Sequence, residues 1–256
     1  MNTPITVGIL YPGHAAEDDY PRCEARLADH GTVPSVRLPV TITTIGVDEH
    51  TAEALLETGS HARLSEGTQR LLTEHRVDSV MWACTSGSFV YGWEGAHRQA
   101  DQLADATGLP TSSTSLAFVR ALEALGIRKV AVAASYPEEL ATHFRTFLLA
   151  GGVEVVTFQA RGVFTAAAVG QMSRAEVLAM IRSVDVPEAQ AVLVPDTAMH
   201  SLPWVDDMEQ ALGKPVLTAN QVTVWEGVRI AGADRPRLPG LGSLFRPREA
   251  AASSTV

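Results

Sequence analysis

At 256 residues, with 46% apolar and 19% charged side chains, the chain has the composition of a soluble globular protein, long enough for one large domain or two lobes. Its net charge of −9, with the basic residues scattered, argues against nucleic acid and anionic membrane surfaces as partners. No apolar run approaches the ~20 residues that span a bilayer. The first residues show no signal-peptide pattern, and two cysteines with eight dispersed histidines offer neither a disulfide framework nor metal-ligand spacing, so a cytoplasmic protein without a metal is expected.

Residues 6–11 predict a short buried strand that stops at the turn signal Pro12-Gly13-His14. Glu17-Asp18-Asp19 opens a helix running to Ala28. Residues 33–45 are rich in β-branched side chains but carry Pro34 and Pro39, which predicts a strand with an irregular entry. Apolar positions at helical spacing return over 51–74, with Gly59 and Gly67 marking a break. Residues 77–83 form the next strand, ending at Ala83-Cys84-Thr85-Ser86-Gly87-Ser88. A helix is predicted from 88 to 107, closed by Gly108 with Pro110 beyond it.

A short strand at 111–113 and an amphipathic helix ending at Gly126 follow, then a strand over 129–134. Ser135-Tyr136-Pro137-Glu138-Glu139 starts a helix to 150, since proline suits a first turn and acids there complement the helix dipole. Residues 153–158 are a strand and 160–170 a Gly- and Ala-rich connection. Ser173 with Glu176 reads as a capping box for a helix to 184. The strand 191–194 ends at Pro195-Asp196-Thr197. A helix over 203–212, a strand over 216–218 and a last helix over 221–231 complete the pattern, with the end of the chain, 246–256, expected to be disordered.

Strands alternating with helices predict an α/β protein with mainly parallel sheets flanked by helices. The pattern also repeats. Strand, Cys84 loop and helix are followed by Gly108-Leu109-Pro110, a strand and a helix; strand, Asp196 loop and helix are followed by Gly213-Lys214-Pro215, a strand and a helix. This predicts two pseudo-symmetric lobes, residues 1–115 with 221–245 and residues 116–220, sharing a cleft between them.

In such sheets ligands bind beyond the carboxyl ends of the strands. Cys84 holds that position, and hydroxyls with a helix start behind it predict a reactive thiol of lowered pKa, with Thr85 and Ser86 as an anion cradle. Cys23, in an early helix, reads as an inert core cysteine. Asp196, in the matching place of the second lobe, reads as an opposing acid or base as readily as a turn former, with Thr197 beside it. Tyr136 is placed to donate a hydrogen bond to a substrate carboxylate. Pro12 and Gly13 would offer backbone contacts on the same face, and Asn220 lies there too, although a helix cap is its simpler reading. His14 and His200 are weaker candidates. No dinucleotide fingerprint, P-loop or hydrolase elbow occurs, which leaves cofactor-free chemistry as the simplest enzyme reading.

Several segments together resemble the aspartate/glutamate racemase superfamily, in the branch of arylmalonate decarboxylase, maleate cis-trans isomerase and the ectoine-utilisation racemase-like proteins. They are residues 83–89 (ACTSGSF), 106–110 (ATGLP), 121–131 (ALEALGIRKVA), 134–136 (ASY), 212–216 (LGKPV), and the stretch from Asn220-Gln221 through Trp225 to Gly232. The resemblance implies two pseudo-symmetric α/β lobes, no metal or organic cofactor, Cys84 as the first-lobe cysteine, and Thr85, Ser86 and Tyr136 as hydroxyls on a carboxylate. Asp196 departs from it, standing where the second-lobe cysteine belongs. Three readings follow. The leading one is a cofactor-independent isomerase or racemase of a small carboxylic acid; the others are a cofactor-free decarboxylase of a malonate-type acid and a non-catalytic carboxylate-binding protein. The sequence leaves oligomeric state open, homo-oligomers included.

Overall fold

The structure, a computed structural model, describes residues 3–13 and 15–246. His14 and the expected tail beyond Arg246 lie outside the described residues. In chain order the elements are β1 (Ile5–Tyr11), α1 (Asp19–Asp29), β2 (Val36–Arg37), β3 (Val40–Ile42), α2 (Ala52–Thr58), α3 (His61–Glu74), β4 (Ser79–Trp82), α4 (Ser86–Phe89), α5 (Gly92–Thr107), β5 (Thr111–Ser113) and α6 (Thr114–Leu125). They continue with β6 (Lys129–Ala134), α7 (Glu138–Ala150), β7 (Glu154–Ala160), α8 (Ala166–Gly170), α9 (Arg174–Val184), β8 (Ala191–Val194), α10 (Val205–Leu212), β9 (Val216–Thr218) and α11 (Ala219–Ile230).

These strands form two parallel sheets flanked by helices. The first runs β2-β1-β4-β5, with β3 also on β1; the second runs β7-β6-β8-β9. β2 pairs the start of β1 (Ile5 with Val36) and β3 its end (Ile9 with Val40), so the expected single strand is interrupted between them. The reason is Pro39: it has no N–H for the ladder, though its carbonyl still accepts from Ile9 N at 2.9 Å.

Side chains alternate across each sheet. Val7, Ile9 and Met81 of the first sheet and Val130, Val132 and Leu193 of the second share one core cluster. Leu10, Val80 and Trp82 face outward onto Leu64, Leu71 and Leu103, while Ala131 and Val192 face outward onto Val177 and Met208. The chain crosses between sheets at its end. α11 follows β9 but lies flat on β1 and β4, where a Cβ on Gly227 would come within 2.3 Å of Val7 Cγ1 and 2.9 Å of Met81 Cγ. Ser79 Oγ donates to the Gly227 carbonyl at 2.8 Å from below.

The predicted repeat exists in the backbone. Gly108 and Gly213 both end helices in the left-handed region, at φ 67°. The prolines that follow both offer a carbonyl to a central strand, Pro110 to Val80 N and Pro215 to Val192 N, each at 3.0 Å. Several boundaries differ from expectation. The break in 51–74 falls at Gly59-Ser60, while Gly67 stays inside α3, close against Thr43. The expected helix 88–107 is two: a single turn, α4, and then α5, which begins at Gly92 with φ 69°. The connection 160–170 contains α8, started by the Thr165 side chain on Ala168 N. α11 begins two residues early, because Thr218 is the cap and Gln221 completes a capping box, worth about 1 kcal/mol.

Candidate active site

The loops at the carboxyl ends of β1, β3, β4 and β8, together with α8, enclose a cavity of about 40 Å³. Of the residues expected at a site, Cys84, Ser86, Asp196, Thr197, Pro12 and Gly13 line it. Thr85, Tyr136 and Asn220 are not among the lining residues.

Cys84 follows directly on β4, whose four residues are all buried. Its Sγ accepts a hydrogen bond from Gly87 N at 3.2 Å and lies 3.8 Å from Ser86 Oγ. The expected lowered thiol pKa is not found. Burial is the dominant influence and, with the Asp196 charge adding to it, pushes the thiol up to about 11; the Gly87 N–H and the Ser86 hydroxyl oppose this and are outweighed. The helix behind the thiol is a single turn, Ser86–Phe89, too short to supply the field that a long helix would. The thiol therefore rests protonated at neutral pH. Cys23 is buried as expected, and burial raises it to about 12.

Thr85 has no exposed surface, and its Oγ1 has no hydrogen-bond partner among the described residues. A buried hydroxyl left unpartnered costs about 1–3 kcal/mol, so its presence needs a reason. Its backbone is held firmly, with the carbonyl accepting from Ser115 Oγ at 2.7 Å.

Asp196 follows on β8 and is buried at 3% exposure. One carboxylate oxygen accepts from Ala198 N at 2.9 Å, and the other accepts from the Ser135 hydroxyl. Both oxygens are held, which fixes the orientation of the group in the cavity wall. Thr197 is held through its carbonyl, which accepts from Tyr11 OH at 3.1 Å; the same phenol accepts from Ala16 N at 3.0 Å. Gly13, at φ 80°, turns the chain beside Ile42, whose Cγ2 would be 2.9 Å from any added Cβ.

Tyr136 is fully buried and donates its hydroxyl proton to the Pro195 carbonyl at 2.6 Å. Burial, with the Asp196 and Cys84 charges adding to it, keeps the phenol protonated, well above its ordinary pKa, against the pull of the nearby Thr85 and Ser86 hydroxyls. It stands beside Thr85 without a Thr85 hydrogen bond of bonding geometry, and its one proton is engaged with the strand end that carries Asp196. Asn220 is engaged at every polar atom. Its Oδ1 accepts from Tyr20 OH at 3.0 Å, and its Nδ2 donates to Asp19 Oδ2 at 2.9 Å and to the Met199 carbonyl at 3.2 Å. It is neither the cap of α11 nor part of the cavity lining. His200 is likewise engaged, with Asp18 at 2.8 Å and the Gly170 carbonyl at 3.2 Å.

The cavity wall also contains residues not expected there: Tyr11, the segment 45–50 apart from Gly46, Leu55, Thr58, Ala166 and Ala198. The segment after β3 is held beside the site by bonds to the start of α8 and the loop before it. Asp48 accepts from Ala166 N at 2.8 Å and Ala167 N at 3.1 Å, and His50 N donates to the Phe164 carbonyl at 2.7 Å. The rule that singled out the Cys84 loop applies equally to the end of β3, but reading the strand through to Ile45 hid that end. Among the described residues no group of three or more His, Cys, Asp or Glu is placed to hold a metal ion, and no helix is long and apolar enough to cross a membrane.

The family model for arylmalonate decarboxylase matches residues 58–245. The chain belongs to the arylmalonate decarboxylase family. It is 31% identical to the maleate isomerase of Nocardia farcinica over 182 residues, 68% of this chain and 72% of the isomerase. It is 28% identical to the arylmalonate decarboxylase of Bordetella bronchiseptica over 143 residues, 55% of this chain but only 60% of the decarboxylase. The architecture agrees with solved structures of the family's relatives. The Nocardia farcinica maleate cis-trans isomerase, as a cysteine-to-serine mutant with a covalently bound succinylcysteine intermediate, superposes with a TM-score of 0.83 at 25% identity over 95% of this chain and 99% of that one. The maleate isomerase Iso from Pseudomonas putida, a mutant crystallised with maleate, gives the same TM-score at 24% identity over 95% of this chain and 98% of that one. As a member of this enzyme family, the chain has isomerases and a decarboxylase as its curated relatives.

Proposed function

We propose that this protein is a cofactor-independent isomerase or racemase of a small carboxylic acid, in which Cys84 and Asp196 are the reacting pair. The observation that carries the proposal is that these two residues, at the ends of equivalent strands in the two sheets, line one cavity. The substrate carboxylate is held by Ser86 in the cavity wall and by the hydroxyl of the adjacent Thr85, which the wall covers in this structure and for which the carboxylate would be the missing partner; Tyr136 positions the Pro195-Asp196 strand end alongside.

Because the thiol rests protonated, Asp196 is the group that begins the reaction. For a racemisation, the Asp196 carboxylate takes the proton from the carbon next to the substrate carboxylate. The electron pair passes into that carboxylate as an enediolate, held by the Ser86 and Thr85 donors. The Cys84 thiol then delivers its own proton to the carbon from its side of the cavity, and the thiolate left behind regains a proton from Asp196 through solvent. For a double-bond isomerisation, Asp196 instead takes the thiol proton and Cys84 Sγ adds to one alkene carbon; the π pair moves to the other carbon, which takes that proton back from Asp196 to give a succinyl thioether. Rotation about the resulting single bond and reversal of both steps give the other isomer. The succinylcysteine in the Nocardia isomerase supports this second mode.

One observation favours a decarboxylase as a second reading. The family model that spans residues 58–245 is that of arylmalonate decarboxylase, and the Cys84 thiol in the cavity wall is placed to protonate the enediolate left by loss of carbon dioxide from a malonate-type acid. Proton NMR in deuterium oxide separates the reactions. Maleate converting to fumarate marks the double-bond isomerase. Deuterium entering a chiral 2-substituted acid as its optical activity decays marks the racemase. Loss of carbon dioxide from phenylmalonate marks the decarboxylase. Binding of these acids without any turnover would refute an enzymatic function.

A further inference from the structure

His50 lines the cavity alongside Cys84 and Asp196 at 6% exposure. Its Nδ1 lies 2.8 Å from the Val163 carbonyl. A carbonyl only accepts, so Nδ1 carries the hydrogen, and in the neutral ring the other nitrogen, Nε2, keeps its lone pair. Nε2 has no hydrogen-bond partner among the described residues, while the ring is held edge-on to Tyr136 at 5.1 Å between centroids. The ring is thus fixed at one nitrogen and open at the other. Its setting is otherwise acidic: Asp48 and Glu49 precede it on its own segment, and Asp196 and Cys84 stand in the same cavity wall. Among the described lining residues His50 is the sole basic side chain.

We propose that His50 is a specificity-determining residue: its Nε2 binds the substrate's second polar group, the one not held by Thr85 and Ser86, and in doing so favours acids that carry a second carboxylate or a hydroxyl. This rests on the carboxylate-cavity reading above. When that second group is a carboxylate, the ring takes up a proton at Nε2 and offsets the charge brought into an acidic cavity. When it is a hydroxyl, neutral Nε2 accepts from it. The anchored Nδ1 keeps the ring in place in both forms.

The test uses maleate and crotonate, which share a double bond and one carboxylate but differ in the second, with binding measured by calorimetry on the full chain. The wild-type protein is expected to bind maleate at least tenfold more tightly than crotonate. His50→Asn places an amide N–H where Nδ1 stands, so it keeps the bond to Val163 but offers nothing at Nε2. It should fold normally and lose the preference for maleate to within threefold. His50→Gln, which reaches the Nε2 position, should restore part of it. In 15N-histidine-labelled protein, the His50 Nε2 resonance should move towards its imidazolium position on saturation with maleate and stay put with crotonate. An unchanged preference in His50→Asn, or an Nε2 resonance unmoved by saturating maleate, overturns the role of His50 alone. Failure of both acids to bind the wild-type protein overturns the carboxylate-cavity reading itself, and the role of His50 with it.

Discussion

The loop that follows β4 and the loop that follows β8 are built on the same framework and end in different chemistry. In both, a backbone turn closes right after the reactive position: Ser88 N donates to the Thr85 carbonyl at 3.1 Å, and Met199 N to the Asp196 carbonyl at 3.3 Å. In both, a serine of the loop reaches the N-cap of the next sheet-crossing helix, Ser88 to Ser113 at 2.8 Å and Ser201 to Thr218 at 3.0 Å. The groups held at the strand ends differ. The Cys84 sulfur has a single amide at 3.2 Å and a distant hydroxyl, with an unpartnered threonine hydroxyl next to it. The Asp196 carboxylate has donors on both oxygens. A thiol needs little solvation when neutral, so the first loop leaves donors over for a ligand. A buried carboxylate needs its donors for itself. Under the proposed function, the half of the site with the free hydroxyl would hold the ligand and the half with the satisfied carboxylate would handle the proton.

The largest effect should come from removing the thiol. Cys84→Ala is expected to lower turnover at least a thousandfold on whichever acid is converted, with little change in melting temperature. Turnover at the wild-type rate would end the proposal for this residue. Asp196→Asn should lower turnover about a hundredfold. It should also lower the pH midpoint of Cys84 alkylation by iodoacetamide, since the Asp196 charge is one of the influences raising that thiol. A midpoint that rises or does not move would show that the two groups do not sense each other. The thiol's raised pKa also has a sign in stability: the contribution is complete below pH 9, the ordinary thiol value, and is lost as the pH climbs through 11. Alkaline denaturation followed by circular dichroism should therefore begin later in Cys84→Ala.

Thr85→Val separates binding from folding. In a site with no ligand the substitution removes a buried hydroxyl that has no partner, so stability should hold or rise by about 1 kcal/mol, as read by urea unfolding. KM should rise about tenfold or more. A stability loss with unchanged KM would move Thr85 out of the ligand-holding half. The smallest effect concerns the anchor of the second loop. Asp19 is buried and accepts from Ser201 N, Leu202 N and Asn220 Nδ2, and burial raises its pKa above the usual carboxylate value despite these donors. Its protonated form is the better folded one, so its contribution is complete below the ordinary carboxylate pKa and lost as pH rises through the raised value. Asp19→Asn should flatten the dependence of melting temperature on pH just above that range, with a shift of a few degrees at most. A steeper dependence would contradict the desolvation account.

The sequence alone determined the α/β class, the repeat, and the residues at the ends of the strands before each reactive loop. These follow from local chemistry: a run of four apolar residues makes a buried strand, as at 191–194, and a glycine shortly before proline ends a helix in the left-handed region, as at Gly108 and Gly213. Cys84 and Asp196 were legible as candidates for the same reason. Only the tertiary structure decided how each group behaves. The thiol pKa reads from an adjacent helix in the sequence, but burial sets it, and burial depends on packing that no local pattern records. From the sequence, Tyr136 reads as a binder, and Asn220 as a cap that could also bind, because both stand at helix starts on the right face. Their partners, Pro195 for Tyr136 and Asp19 for Asn220, lie 59 and 201 positions away, and those contacts take their polar atoms. His50 carried no signal at all in the sequence. It enters the site because the segment after β3 binds residues 163–167, more than 110 positions along the chain, and hydrogen bonds at that separation are made by the fold.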